Sequence, residues 1–153
     1  MGFEELNLQT GWAVFIGLVA SIEDLRRRQI PNWIPLAAIA GGLAIAFRDQ
    51  GWSGAGSSLL GLVTGFVVFF VFYALGAMGG GDVKLMAGFG AVLGWSLILK
   101  ASLWTAAVGG LIALVAIAIS MFRRGKRVKG TAADAIPYAP AIALGSWLAL
   151  IAQ

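Results

Sequence analysis

The chain has 153 residues, of which 59% are hydrophobic and only 12% charged, with a mean hydropathy of +0.88. A soluble domain carries about twice that share of charge, so these proportions exclude an ordinary water-exposed globule and point to a polytopic membrane protein. The net charge of +4 does not indicate a nucleic-acid partner, because the basic residues sit at the ends of apolar runs, where membrane topology accounts for them. Cysteine and histidine are both absent, which removes disulfides, thiolate metal sites and catalysis by either side chain. Any chemistry is left to carboxylates, Lys, Ser/Thr, Tyr or the backbone, and neither metal nor organic cofactor is expected.

In chain order, the opening "MGFEELNLQT" is acidic and has no basic leader, so no secretory signal peptide is expected. Six spans follow, giving an all-α fold: a bundle of six transmembrane helices forming a single domain over residues 1–153. The expected spans are Leu8–Ile22, Pro31–Phe47, Ser57–Met78, Val83–Leu99, Ala101–Phe122 and Ala135–Ala152, with the fourth and fifth divided only by Lys100. No internal repeat relates the first three to the last three. Two pairs of small residues at four-residue spacing, Gly61/Gly65 and Gly90/Gly94, are of the kind that lets membrane helices approach closely.

Nine basic residues fall on one side of this arrangement, namely Arg26, Arg27, Arg28, Lys84, Arg123, Arg124, Lys126, Arg127 and Lys129, against Arg48 and Lys100 on the other. The basic side faces the cytoplasm, so both termini face away from it across a prokaryotic plasma membrane. Trp12, Trp33, Trp52, Trp95 and Trp104 lie near expected span ends, whereas Trp147 falls inside the sixth span and calls for a packing role.

Glu4, Glu5, Asp49 and Asp134 read as solvated loop charges. Asp24 closes the first span and Asp82 opens the fourth. Two crossings separate them, so both lie at the cytoplasmic boundary although 58 positions apart. Two carboxyl groups held together where water is scarce cannot both ionise cheaply, so they share a proton and offer an acid and a base at once. That suits amide hydrolysis by an activated water. Simpler roles stand beside this one: Asp24 precedes Arg27 and Arg28 at ion-pair spacing, and Asp82 is a suitable helix N-cap. Neither role uses Gly79, Gly80 and Gly81, whose open backbone gives an extended peptide room to approach. Glu23, one residue from Asp24, points elsewhere.

Three motifs carry a family resemblance. "DLRRRQIPN" sets Asp24 before Ile30, Pro31 and Asn32; "GGGDVKL" contains Gly79, Gly81 and Asp82 in a Gly-x-Gly-Asp pattern followed by Lys84; "IPYAPAIALG" places Ile136, Pro137, Tyr138 and Pro140 at the start of the last span. Together and in this order they resemble the type IV prepilin peptidases, membrane aspartic proteases that trim the leader from pilin and pseudopilin precursors. The resemblance implies that Asp24 and Asp82 are the catalytic pair and that the partner is a prepilin or pseudopilin precursor, in contact with membrane lipid. Longer members carry an N-terminal zinc and methyltransferase region with a cysteine tetrad. This chain resembles the minimal, peptidase-only branch of tight-adherence (Flp-type) pilus systems, for which neither that region nor methylation is expected.

Around the pair, Pro31 and Pro35 are expected to shape the start of the second span. Asn32 is expected either to bond near Asp24 or to cap a helix. Lys84 faces away from Asp82 and reaches headgroups or tunes the site. Pro137 and Tyr138 wall the cleft or, through the tyrosine hydroxyl, hold the helix entry. The alternatives are a small proton- or ion-coupled transporter using the same carboxylates, a presenilin-type protease, and a noncatalytic assembly subunit. The presenilin pattern puts its other aspartate after a tyrosine, but Tyr73 and Tyr138 are both followed by alanine.

Overall fold

A computed structural model describes residues 8–76, 78–122 and 138–152. Every element in them is helical: α1 (Leu8–Arg27), α2 (Trp33–Ala74), α3 (Gly80–Phe122) and α4 (Ala139–Ile151). Four helices stand where six were expected, because two of the expected loops are single residues. Gly51 interrupts α2 with φ 60° and ψ −140°, and Gly94 interrupts α3 with φ 73° and ψ 175°. Both conformations exclude an ordinary L-residue, and glycine adopts them freely.

The contacts show that the chain doubles back at these points. Asn32 meets Lys84, Pro35 meets Gly88 and Gly42 meets Ala91 and Val92, so residues 33–50 run parallel to residues 80–93. Ser57 meets Gly94, Gly61 meets Gly90 and Gly65 meets Met86, so residues 52–74 run antiparallel to the same rod. The second half of α3 returns beside α4, with Thr105 against Gly145 and Gly109 against Tyr138. Finally α4 runs antiparallel to α1, since Trp147 touches Ala13 and Gly17 while Ala139 touches Asp24.

The Gly94 break lies six residues before Lys100, the boundary expected from charge. It deprives carbonyls in the preceding turn of their helical donors. Side chains replace them: the Ser58 hydroxyl donates to the Ala91 carbonyl at 2.6 Å and Gln9 Nε2 to the Val92 carbonyl at 2.7 Å. Inside lipid such repair is what makes a broken helix tolerable. At the Gly51 break, nothing lies within 4 Å of where a Cβ would sit. Gly51→Ala is therefore expected to cost about 1–3 kcal/mol of backbone strain without any steric contribution, read as a lowered thermal midpoint of the purified protein.

The two small-residue pairs face each other. A Cβ added to Gly61 would meet the Gly90 backbone, and one added to Gly90 would meet Gly61. Around this seam lies the core of Ile16, Ile34, Leu85, Met86, Phe89, Ile98 and Ile142, all fully buried. The outward faces stay apolar, as with Leu59, Leu60, Val63, Val67, Phe70 and Val71 on α2. Helix α2 and residues 80–115 of α3 are long and apolar enough to cross a membrane. Exposed apolar surface on this scale marks contact with lipid or protein.

Trp147 has the packing role expected of it: its Nε1 donates to the Ala13 carbonyl at 3.1 Å and its ring covers Gly17. Near the start of α1, the Trp12 ring lies over Gly41 and stacks on Phe15.

Candidate active site

One face of α1 is buried at Ala13, Ile16, Gly17, Ala20 and Asp24, a helical stripe that ends in a carboxylate. Asp24 is 7% exposed. Its Oδ2 accepts the Ala139 N–H at 3.0 Å, across 115 positions of sequence. That amide belongs to the first turn of α4, whose leading N–H groups have no partner within the helix. The expected ion pair lies one residue over: Arg27 pairs with Glu23 at 3.2 Å, and Glu23 is itself half-buried beside the stripe.

Asp82 sits in the first turn of α3, two residues into the helix. Its Oδ2 accepts the Gly79 N–H at 3.2 Å. This is the reach-back half of a capping box, so the residue occupies the third helical position and not the N-cap considered for it. Both carboxylates stand at the same end of the bundle: Ile30, six residues after Asp24, backs Gly81, the neighbour of Asp82. Each thus has one oxygen tied to a backbone amide, and the other takes no hydrogen bond from the described residues. A pair held in this way can share a proton and polarise a water between a base and an acid.

The remaining site residues fall at the same end, with changes of role. Gly79 is exposed, while Gly80 and Gly81 are half-buried. A Cβ on Gly80 would lie 3.7 Å from the Tyr73 ring and one on Gly81 3.4 Å from Ile30, both ordinary contacts. None of the three has a positive φ, so the fold itself does not demand glycine here. Asn32 occupies the N-cap of α2 but makes no side-chain cap. Its Oδ1 instead accepts Lys84 Nζ at 3.0 Å, and the lysine bridges α3 to the α2 entrance. Pro31 is half-buried and its carbonyl accepts the Ile34 N–H at 3.1 Å, opening α2; Pro35 is buried against Gly88.

Tyr138 is the N-cap of α4, and the edge of its ring, with the hydroxyl, lies over Gly109 of α3. Pro137 and the basic run 123–129 lie outside the described residues. Two participants were not foreseen: the Ala139 amide, and Ile30, which backs Gly81. An apolar groove of about 360 Å³ adjoins the site, lined by Asn32, Pro35, Leu36, Leu62, Phe66 and Lys84. A polar cavity of about 380 Å³, containing Gln9, Asp49, Ser57 and Trp95, opens at the opposite end of the bundle near the Gly51 and Gly94 breaks.

The architecture is thus an α-helical bundle with apolar outer faces and two aspartates converging at one end. Comparison with known proteins gives the class a name: the chain belongs to the type IV leader peptidase family, whose model matches residues 12–121. It is similar to the prepilin leader peptidase/N-methyltransferase of Bacillus subtilis (strain 168), 34% identical over 145 residues that cover 90% of this chain and 54% of that protein. It is also similar to the enzyme of the same name from Aeromonas hydrophila, 27% identical over 95% of this chain and 52% of the relative. The preflagellin peptidase of Methanococcus voltae is 34% identical over 80 residues, covering 50% of this chain and 34% of that protein. The chain spans about half the length of the prepilin peptidases it matches. No solved structure matches it significantly. Nothing in these matches favours the transporter alternative.

Proposed function

We propose that the chain is a membrane aspartic endopeptidase that removes the leader from prepilin-like precursors, with Asp24 and Asp82 as its catalytic pair. The observation that supports this reading is that Asp24 and Asp82 stand at the same end of the bundle, where Ile30 packs on Gly81 and Asn32 bonds Lys84, inside the stretch matched to a leader-peptidase family. One carboxylate takes a proton from water as its oxygen attacks the scissile carbonyl carbon. The protonated partner gives its proton to the carbonyl oxygen, and collapse of the tetrahedral intermediate passes a proton to the leaving nitrogen.

In this reading the six rods separated by the Gly51 and Gly94 breaks and the interhelix connections are six membrane passes of one peptidase domain. Arg26, Arg27, Arg28 and Lys84 are exposed at the aspartate end. That is the charge signature of a cytoplasmic face, which puts both termini on the opposite side. The substrate is a precursor with a short basic leader and an apolar helix that stays in the bilayer. The pilin of an Flp-type system fits that description.

The test is reconstitution of the purified chain with a cognate precursor in lipid vesicles, reading leader release by mass and the new N-terminus by sequencing. An intact precursor beside proton or sodium flux would replace the peptidase with a transporter. The glycines give a sharper check. The fold tolerates a Cβ at Gly79, Gly80 and Gly81, so alanine at any of them should keep or slightly raise the thermal midpoint. If the backbone there receives substrate, Gly80→Ala lowers kcat/KM about tenfold, or ~1.4 kcal/mol of transition-state stabilisation. Unchanged kcat/KM in all three alanine variants would remove the glycines from substrate binding.

A further inference from the structure

Helix α4 carries no carboxylate, yet it touches α1 at two points. At its entrance the Ala139 amide is bonded to Asp24, and two turns later Trp147 is bonded to Ala13 and covers Gly17. The entrance is itself fixed from the other side. Tyr138 is only half-buried, but its ring occupies the space a side chain on Gly109 would need, within 2.6–2.9 Å of an added Cβ. The residue that places the Ala139 amide is therefore locked to α3, the helix that bears Asp82. Asp82 stands at the start of that helix and the Tyr138 contact lies in its returning half.

We infer that Tyr138 is a positioning residue: its ring, wedged on Gly109, holds the α4 entrance so that the Ala139 amide fixes the Asp24 carboxylate in register with Asp82. This rests on the peptidase reading for its kinetic consequence, though not for its structural one. A ring carbon makes the nearest contact and the hydroxyl beside it has no hydrogen-bond partner among the described residues, so the variants should rank unusually. Tyr138→Phe keeps the wedge. Tyr138→Ala removes it while leaving the helix and its proline-containing first turn intact, since Pro140 follows in either case. Substrate binding is untouched, because Tyr138 acts through Asp24.

The experiment combines steady-state cleavage with hydrogen exchange at the Ala139 amide in the intact, detergent-purified protein. Tyr138→Ala is expected to lower kcat about tenfold to a hundredfold at unchanged KM, the loss expected when a reacting group shifts by about 1 Å. Tyr138→Phe should match the parent in both constants. Protection of the Ala139 amide should be strong in the parent and in Tyr138→Phe, and weak in Tyr138→Ala and in Asp24→Ala. Gly109→Ala, which pushes the ring aside without altering it, should repeat the Tyr138→Ala result and serves where that variant does not fold. Equal damage from Tyr138→Phe, a wild-type kcat for both Tyr138→Ala and Gly109→Ala, or an unprotected Ala139 amide in the parent would each overturn the inference. If the chain cleaves no precursor at all, the exchange pattern still decides whether the wedge holds the amide, so the two failures are distinguishable.

Discussion

Asp82→Asn is expected to abolish leader cleavage, and Asp24→Asn to do the same, each lowering kcat by about 10³-fold or more at normal expression. Asparagine keeps the shape of the side chain and a carbonyl acceptor, but it can neither take a proton from water nor give one to a departing amine. Because the two carboxylates form one acid–base unit, the double variant should be no slower than the worse single one. Additive losses would mean that the groups work separately. Normal processing by either single variant would remove that residue from the chemistry.

Asp24 requires a second substitution, because it also has a structural task. Its Oδ2 accepts the buried Ala139 amide. Asp24→Asn preserves that acceptor and should leave the thermal midpoint near the parent's. Asp24→Ala orphans the amide, at about 1–3 kcal/mol for an unpaired buried donor. The expected pattern is thus two inactive proteins, of which only the alanine variant unfolds early. Two equally stable inactive variants would show that the hydrogen bond contributes little to the fold. Asp82 offers a weaker contrast, since its Gly79 partner lies at an exposed helix start.

The sequence made these two carboxylates legible because both break an apolar pattern. Asp24 closes an apolar span two crossings before Asp82 opens another, so the spacing of spans alone sets both at one membrane boundary. Asp82 follows three glycines in a chain with few charges. Their partners were not legible in the same way. The Ala139 amide is a backbone group, and every non-proline residue has one. Asn32 and Lys84 are 52 positions apart and join only because residues 33–50 run parallel to the start of α3. The boundary at Gly94 was read at Lys100 because charge is a strong marker of a span end, while one glycine among 22 is a weak one. What chooses Gly94 is tertiary: Ser58 and Gln9 stand ready to bond the carbonyls that the break exposes. The two glycine pairs show the same limit from the other side. Each was visible alone, but only the fold sets Gly61 opposite Gly90.

That opposition makes the glycine seam the place where a small substitution should do the most damage to the fold. A Cβ on Gly61 meets the Gly90 carbonyl and the Gly94 backbone; a Cβ on Gly90 meets the Gly61 carbonyl and the Leu62 nitrogen. These are main-chain atoms in the middle of packed helices and cannot rotate away as the end of a flexible side chain can. Helix association in lipid depends on such close approach, since burying apolar surface away from lipid gains little. Gly61→Ala or Gly90→Ala is expected to destabilise by about 1–3 kcal/mol, and leucine at either site by more, through separation of the two halves that frame Asp82. Gly56 and Gly110 provide the control. Neither has a positive φ, and nothing lies within 4 Å of an added Cβ. Leucine there should leave the thermal midpoint unchanged or raise it, because glycine is the poorer helix former by ~1 kcal/mol. Thermal unfolding of the four leucine variants in one detergent separates the cases. If Gly61→Leu and Gly90→Leu melt with Gly56→Leu and Gly110→Leu, the halves of α2 and α3 are not held together by backbone contact, and the route by which the fold brings Asp82 to Asp24 must lie elsewhere.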